Sequence, residues 1–170
     1  CTPVASHHIE EWFYDLVWGP DKVEREDNRI FTQRNVNRTT EISADWGSIN
    51  AIYEAALARI RAEIPGITLL GGHSSHSYIN GTNMYFNYFF DLLDTPPELE
   101  NEQIYWPIIG IICEETLARG GSIVHHHGIG KARAPWVRDE YGTSYPMLEA
   151  LKHAFDPNGV MNIGTIIPRA

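Results

Sequence analysis

The sequence is poor in the features that mark several protein classes outright. Its 170 residues hold only two cysteines, Cys1 and Cys113, too few for a disulfide scaffold and in keeping with reduced thiols in a cytoplasmic protein. Basic residues are scarce. Lys and Arg number 13 against 22 Asp and Glu, a net charge of -9, so the surface repels nucleic acid and anionic membrane, although a local basic pocket can still hold an anion. No basic stretch runs into an apolar one near the start, so the sequence offers no secretory signal. The densest apolar run, Ile104 to Cys113, contains Pro107 and Gly110 and is too short to span a bilayer. Neither GxGxxG nor GxxxxGK[ST] occurs, which removes the common phosphate-cradling loops.

What is present suits one globular domain: 43% hydrophobic and 21% charged residues on a chain long enough for a real core. The first forty residues read as polar and irregular, with a short strand or helical turn at Glu10 to Trp18 and a solvated charged loop from Asp21 to Arg29. That ragged opening, and Cys1 in place of a methionine, predict a piece cut from a longer protein. Ile49, Ile52, Tyr53, Ala56, Leu57 and Ile60 recur at helical steps, so a helix is expected from Trp46 to about Ile64, capped by Ser43 or Asp45 and stopped at Pro65-Gly66. Strands are expected at Ile67 to Leu70 and Tyr85 to Phe90, with a turn at Asn80-Gly81. A second helix should run from Glu98 or Gln103 to Arg119, interrupted at Pro107 and ended by Gly120-Gly121. Ser122 to His126 reads as a strand. A last helix, Pro146 to Ala154, should bury Met147, Leu148, Leu151 and Phe155. The sum is an α+β fold, an antiparallel sheet flanked by helices.

Two histidine clusters stand out. His125, His126 and His127 follow the expected strand and precede a glycine-rich bend; extended chain would put His125 and His127 on one face and His126 on the other. Imidazoles change protonation near neutral pH, so a pocket lined by them can donate or accept protons. A tag or a polar surface loop is the plain alternative; the run is internal and flanked by Ile and Val, which argues against a tag. The second cluster, His73, His76 and Tyr78, can reach a cavity from a loop at a strand end, with Tyr78 able to hold or pass a proton; a core-edge tyrosine with a satisfied hydroxyl is its alternative. No carboxylate lies close in sequence to either cluster, which argues against a metal. Lys131 and Arg133, the cations near the triplet, are candidates to neutralise an anionic substrate or cofactor group.

The stretch Gly120 to Trp136, Gly-Gly-Ser-Ile-Val-His-His-His-Gly-Ile-Gly-Lys-Ala-Arg-Ala-Pro-Trp, resembles the signature of alkyldihydroxyacetonephosphate synthases, in the FAD-linked oxidase superfamily typified by vanillyl-alcohol oxidase. Thr40 to Trp46, Tyr78 to Phe86 and Phe155 to Asn162 are similar to that family in order and spacing. Lactate and glycolate dehydrogenases of the superfamily carry Gly-Glu-His-Gly where this chain has His126-His127-Gly128, a departure that lowers the metal-assisted hydroxy-acid reading.

The resemblance implies a ferredoxin-like C-terminal substrate or cap domain over residues 1–155, and a segment, 156–170, that returns to an FAD-binding domain N-terminal to it. FAD is the implied cofactor, bound mainly by that other domain, which is also the implied partner; a homodimer is compatible. Tyr78, His125, His126 and His127 are the implied catalytic residues, His73, His76, Lys131 and Arg133 the substrate-binding ones, and His126 and Asn162 those near the cofactor. The leading function it implies is alkylglycerone-phosphate synthase-like transfer on a small, anionic or lipid-like substrate through a flavin N5 adduct. Oxidation of an alcohol or 2-hydroxy acid is the second reading and a non-catalytic binding domain the third. The chain alone should be inactive.

Overall fold

The computed structural model describes residues 5–16 and 19–168. Helices α1 (Ser6–Leu16) and α2 (Pro20–Asp27) and a π-helical turn (Asn28–Thr32) lead into strand β1 (Asn35–Asp45). Next come α3 (Ile49–Glu63), β2 (Ile67–His73), β3 (Gly81–Asp91), a π-helical turn (Asn101–Tyr105) and α4 (Trp106–Leu117). Two short helical turns bracket α5 (Val137–Tyr141), and α6 (Tyr145–Phe155) precedes an irregular tail.

The sheet is antiparallel throughout, in the order β1-β3-β2, as the α+β reading expected. Side chains alternate along a strand, so each strand sorts its residues between two faces. One face takes Val36, Ile42, Phe86, Tyr88 and Phe90, which join Ile52, Ile60, Ile108 and Ile112 of α3 and α4 in one core cluster. Each such side chain contributes about 1.5–3 kcal/mol by leaving water. The other face takes Thr39, Glu41, Ser43, Asn83, Tyr85 and Asn87. The register sets Glu41 opposite Tyr85 and His73 next to Tyr85 on the far side.

The connections β1–α3–β2–β3–α4 have the order of a ferredoxin-like split βαβ unit. Its fourth strand, expected at Ser122 to His126, is reduced to one antiparallel bridge, Ser43 to Ser122, closed by two backbone hydrogen bonds of 3.0 and 2.7 Å.

Several expectations need correction. The stretch at Asp21 to Arg29 is helical where a loop was expected. It has no apolar stripe, but Pro20 opens it, Asp21 sits in its first turn, and Arg25 lies 3.5 Å from Asp21 one turn away, features that favour a helix. Glu10 to Leu16 belongs to α1; Val17 and Trp18 lie outside the described residues, as does Cys1. Ser43 is a strand residue, and it is Asp45 that accepts the Ser48 N–H at 2.8 Å before α3. Pro107 starts α4 instead of interrupting it, since a first-turn residue needs no N–H bond. Met147, Leu151 and Phe155 of α6 are exposed: the helix forms as expected, but its apolar side has no cover among the described residues. Cys113 is buried and free, and burial pushes its thiol up to about 12. No helix of the described residues is long and apolar enough to cross a membrane.

Candidate functional site

The site grows from the polar face of the sheet, and Glu41 is its centre. Its side chain is 0% exposed, and a carboxylate out of water must be compensated by donors. The compensation comes from the segment after the Ser43–Ser122 bridge. The N–H groups of His125 and His126 donate to the Glu41 carboxylate at 3.2 and 3.3 Å. Just upstream, Ile123 N–H donates to Glu140 of α5 at 3.1 Å and Ser122 Oγ–H to the same carboxylate at 2.5 Å. Two side-chain carboxylates thus take backbone N–H groups of this segment, and the chain curls around Glu41 instead of extending.

That curl corrects the expected geometry of the triplet. The three histidines do not alternate between faces; all turn Nδ1 toward one carboxylate. His125 Nδ1 lies 2.8 Å and His126 Nδ1 3.0 Å from Glu41 Oε1, and His127 Nδ1 lies 3.9 Å from Oε2. His125 and His126 approach each other Nδ1 to Nδ1 at 2.9 Å. On their far sides, His125 Nε2 meets Tyr78 Oη at 2.6 Å and His126 Nε2 meets Tyr85 Oη at 2.8 Å. Two tyrosine–histidine arms therefore converge on one buried oxygen.

Electrostatics follow from the packing. Burial pushes the Glu41 pKa up, but the His126 and His125 backbone donors and the nearby His126 and His127 imidazoles outweigh it and hold the carboxyl below its usual value. His127 goes the other way from what a carboxylate neighbour alone would cause. Burial, with the charges of His126, Arg133 and His125, overcomes Glu41 and lowers the imidazole below 6.5.

The second cluster is tied to the first. The carboxamide of buried Asn83 accepts the N–H groups of Ser75 and His76 at 3.1 and 3.0 Å, and Thr82 Oγ1–H donates to His76 carbonyl at 2.7 Å. These bonds bring the His76 ring to 5.1 Å from His125 and 5.3 Å from His126. Tyr78 N–H closes the expected turn onto Gly81 O at 2.8 Å. Gly81 is required there, because a Cβ would sit 2.2 Å from Ala44 O. Trp46 Nε1–H adds a bond to the Tyr78 carbonyl at 3.1 Å. His73 stacks on Tyr85 at 4.9 Å and contacts Asn87 at 2.8 Å.

Tyr78, His73, His76 and the triplet are thus brought to one surface. Lys131 is exposed on the glycine bend. Arg133 is buried, and its guanidinium donates to the carbonyls of Gly128 and Glu41 at 2.9 and 3.2 Å, which braces the bend. Asn162 stands in the tail, lining an apolar cleft of about 290 Å³ with Leu151, Phe155 and Ile166. A cleft of about 350 Å³ opens beside Tyr78 and His125, edged by Ser43, Asp45, Asn80 and Ser122.

Ring nitrogens of His76, His125 and His126 lie within 4.8 Å of one another, as do the ligand-type atoms of Glu41, His126 and His127. The argument from missing carboxylates therefore fails in three dimensions: β1 delivers one from 84 residues away. At 2.8–3.0 Å, the Glu41–imidazole contacts have the length of direct charge-assisted hydrogen bonds.

Sequence reasoning missed Glu41, Tyr85, Asn83 and Glu140. The one local signal was Glu41 itself, a lone acid between Thr40 and Ile42 in a stretch that alternates like a half-buried strand.

An α+β domain with a tyrosine–histidine cluster on the polar face of its sheet is the class that fold and site define. The chain belongs to the family described as FAD linked oxidases, C-terminal domain, whose model matches residues 27–166. It is 53% identical over 171 residues to the uncharacterized FAD-linked oxidoreductase YgcU of Escherichia coli (strain K12), covering 99% of this chain and 35% of that protein. It is also 29% identical to alkyldihydroxyacetonephosphate synthases of Trypanosoma brucei brucei and Caenorhabditis elegans, over 66% and 75% of this chain and 18% and 22% of theirs. The chain spans about a third of the length of the FAD-linked oxidoreductase it matches.

Proposed function

We propose that this chain is the substrate-side wall of an FAD-dependent enzyme that oxidises an alcohol or 2-hydroxy acid, with Tyr78 as the group that takes the substrate's hydroxyl proton. The observation that carries the reading is the string Tyr78 Oη–His125 Nε2 and His125 Nδ1–Glu41 Oε1, at 2.6 and 2.8 Å. A phenol takes a proton efficiently when it can hand its own on. His125 offers that outlet, and Glu41 orients the ring and stabilises the imidazolium if it forms. His76 and the cleft beside Tyr78 would hold the substrate. The likeness to a protein named as an FAD-linked oxidoreductase supports oxidation.

The donor chemistry of this face fits the ring end of FAD. Tyr78 is 49% and His126 44% exposed, but their polar atoms are engaged with His125, Tyr85 and Glu41, so their rings would border a heteroaromatic ring while His127 beside them would meet its polar edge. Bound there, FAD would supply the two-electron acceptor for the hydride of the substrate carbon. Residues of the present chain would orient the alcohol, exclude water from it and carry its proton away. The described residues offer no glycine-rich cradle for the pyrophosphate, so we assign that part to a separate N-terminal FAD-binding domain. The tail 156–170 and the apolar side of α6 would pack on that domain, with Asn162 near the cofactor. Exposed Met147, Leu151, Phe155, Val160 and Met161 support this, because an uncovered apolar patch of that kind marks an interface.

Synthase-like group transfer is the second reading, favoured by the likeness of residues in this chain to two synthases and by the intact histidine triplet. Lys131 is then the cation left to meet a phosphate. Anaerobic mixing of the full-length flavoprotein with lactate, glycolate and an aromatic alcohol separates the two. Bleaching of the flavin by one of them is expected; exchange of an acyl for an alkyl group on glycerone phosphate without bleaching would overturn the oxidation reading.

A further inference from the structure

The two tyrosine–histidine arms are joined to each other as well as to Glu41. Tyr78 Oη, His125 Nε2, His125 Nδ1, His126 Nδ1, His126 Nε2 and Tyr85 Oη follow in sequence, with contacts of 2.6, 2.9 and 2.8 Å. An Nδ1–Nδ1 hydrogen bond needs one nitrogen with a proton and one without. Neutral imidazole carries one ring proton, so the two rings must hold opposite tautomers: one is protonated on Nδ1 and the other on Nε2. The triangle formed with Glu41 Oε1, of sides 2.8, 3.0 and 2.9 Å, puts an Nδ1–H of either ring within reach of both the carboxylate oxygen and the facing Nδ1.

We infer that Tyr78, His125, His126 and Tyr85 form one proton wire, with Tyr78 its inlet and Tyr85 its outlet to solvent. Tyr78 lines the cleft beside Ser43 and Asn80, which Tyr85 does not line; Tyr85 lies partly exposed under the exposed ring of His73. The transfer balances. The Tyr78 O–H proton passes to His125 Nε2, the His125 Nδ1 proton to His126 Nδ1, and the His126 Nε2 proton to Tyr85 Oη. The original Tyr85 proton leaves to water. One proton has crossed, both rings have switched tautomer, and Tyr78 is left as the phenolate that accepts the substrate's hydroxyl proton. Tyr85 is thus a positioning and relay residue, and the inference rests on Tyr78 being the group that takes the substrate proton.

The test needs no substrate. Nitrogen-15 spectra of the histidine rings in the full-length flavoprotein report which nitrogen bears hydrogen. The expected result is one ring of each tautomer at His125 and His126 in the wild type. In Tyr85→Phe the change at His126 should be accompanied by a change at His125, which Tyr85 does not touch, while Tyr88→Phe on the core face leaves both rings alone. Two rings of the same tautomer, or a His125 signal indifferent to Tyr85→Phe, would overturn the wire. Loss of the wild-type pattern on dialysis against EDTA would also overturn it, by making the triangle a metal site. Should no alcohol bleach the flavin while the spectra behave as expected, the wire stands and the oxidation reading falls.

Discussion

The two faces of one small sheet contrast most sharply in their buried carboxylates. Glu41, on the polar face, is fully buried with two backbone N–H donors and imidazoles around it, and its pKa is lowered. Glu100 is 2% exposed and paired at 2.9 Å with Arg38, on the face that carries the core. Burial there outweighs Arg38 and raises the carboxyl, and Oε1 has no partner among the described residues. An ion pair with one oxygen unmet holds a charge less well than a carboxylate fed by fixed backbone dipoles. The Glu100 arrangement is a structural ion pair; that of Glu41 keeps an anion in place beneath the imidazoles.

The largest expected effect breaks the core face. Phe86→Ala should cost about 3–5 kcal/mol, the usual loss for a fully buried aromatic, read by denaturant unfolding. Its chain neighbour Tyr85, pointing to the other face, should cost about 1 kcal/mol as Tyr85→Phe, the scale of one hydrogen bond. Equal losses would mean that the faces are not distinct.

Glu41→Gln comes next. It keeps the shape and removes the charge, so turnover of the full-length enzyme should fall about 10²-fold or more, the scale of a positioned acid or base. Stability should drop by about 1–3 kcal/mol for donors left poorly met. Tyr78→Phe should match the loss of turnover with little loss of stability. A fully active Glu41→Gln enzyme would remove the carboxylate from the mechanism.

Acid should sharpen the contrast. Glu41 and His127 both have folded pKa values below their ordinary values of 4.5 and 6.5. Each contributes stability that is complete above its unfolded pKa and is lost as pH falls through the folded value. Melting temperature should therefore decline below about pH 6.5, first through His127 and then through Glu41. Glu100 has the opposite sign. Its raised pKa gives stability that is present below 4.5 and is lost as pH rises through the folded value. The smallest expected effect follows: Glu100→Gln should change stability at neutral pH by less than about 1 kcal/mol or raise it. A loss as large as that of Glu41→Gln would erase the distinction between the two carboxylates.

The core face was legible because its pattern is local. The helical spacing from Ile49 to Ile60 and the aromatic alternation up to Phe90 declare α3 and β3 from a dozen residues each. Tyr78 and the histidine triplet were legible through composition and a family likeness. Glu41 and Tyr85 were not, because their partnership is a cross-strand register between residues 44 positions apart, and no window of sequence contains it. The bent course of His125 to His127 was hidden for the same reason: its backbone partners are side chains of Glu41 and Glu140. Helix α2 escaped because charge pairing, not an apolar stripe, favours it. The burial expected for Met147, Leu151 and Phe155 failed because their cover, on our reading, belongs to another domain.

Hydrogen exchange at the backbone amides of His125 and His126 in the full-length protein tests the central claim most directly. These amides lie outside any strand, so an ordinary loop would exchange them quickly. With Glu41 as their acceptor, the account predicts protection approaching that of β1 and β3 in the wild type, lost in Glu41→Ala while the amides around Phe86 stay protected. Rapid exchange at both histidines in the wild type would contradict it.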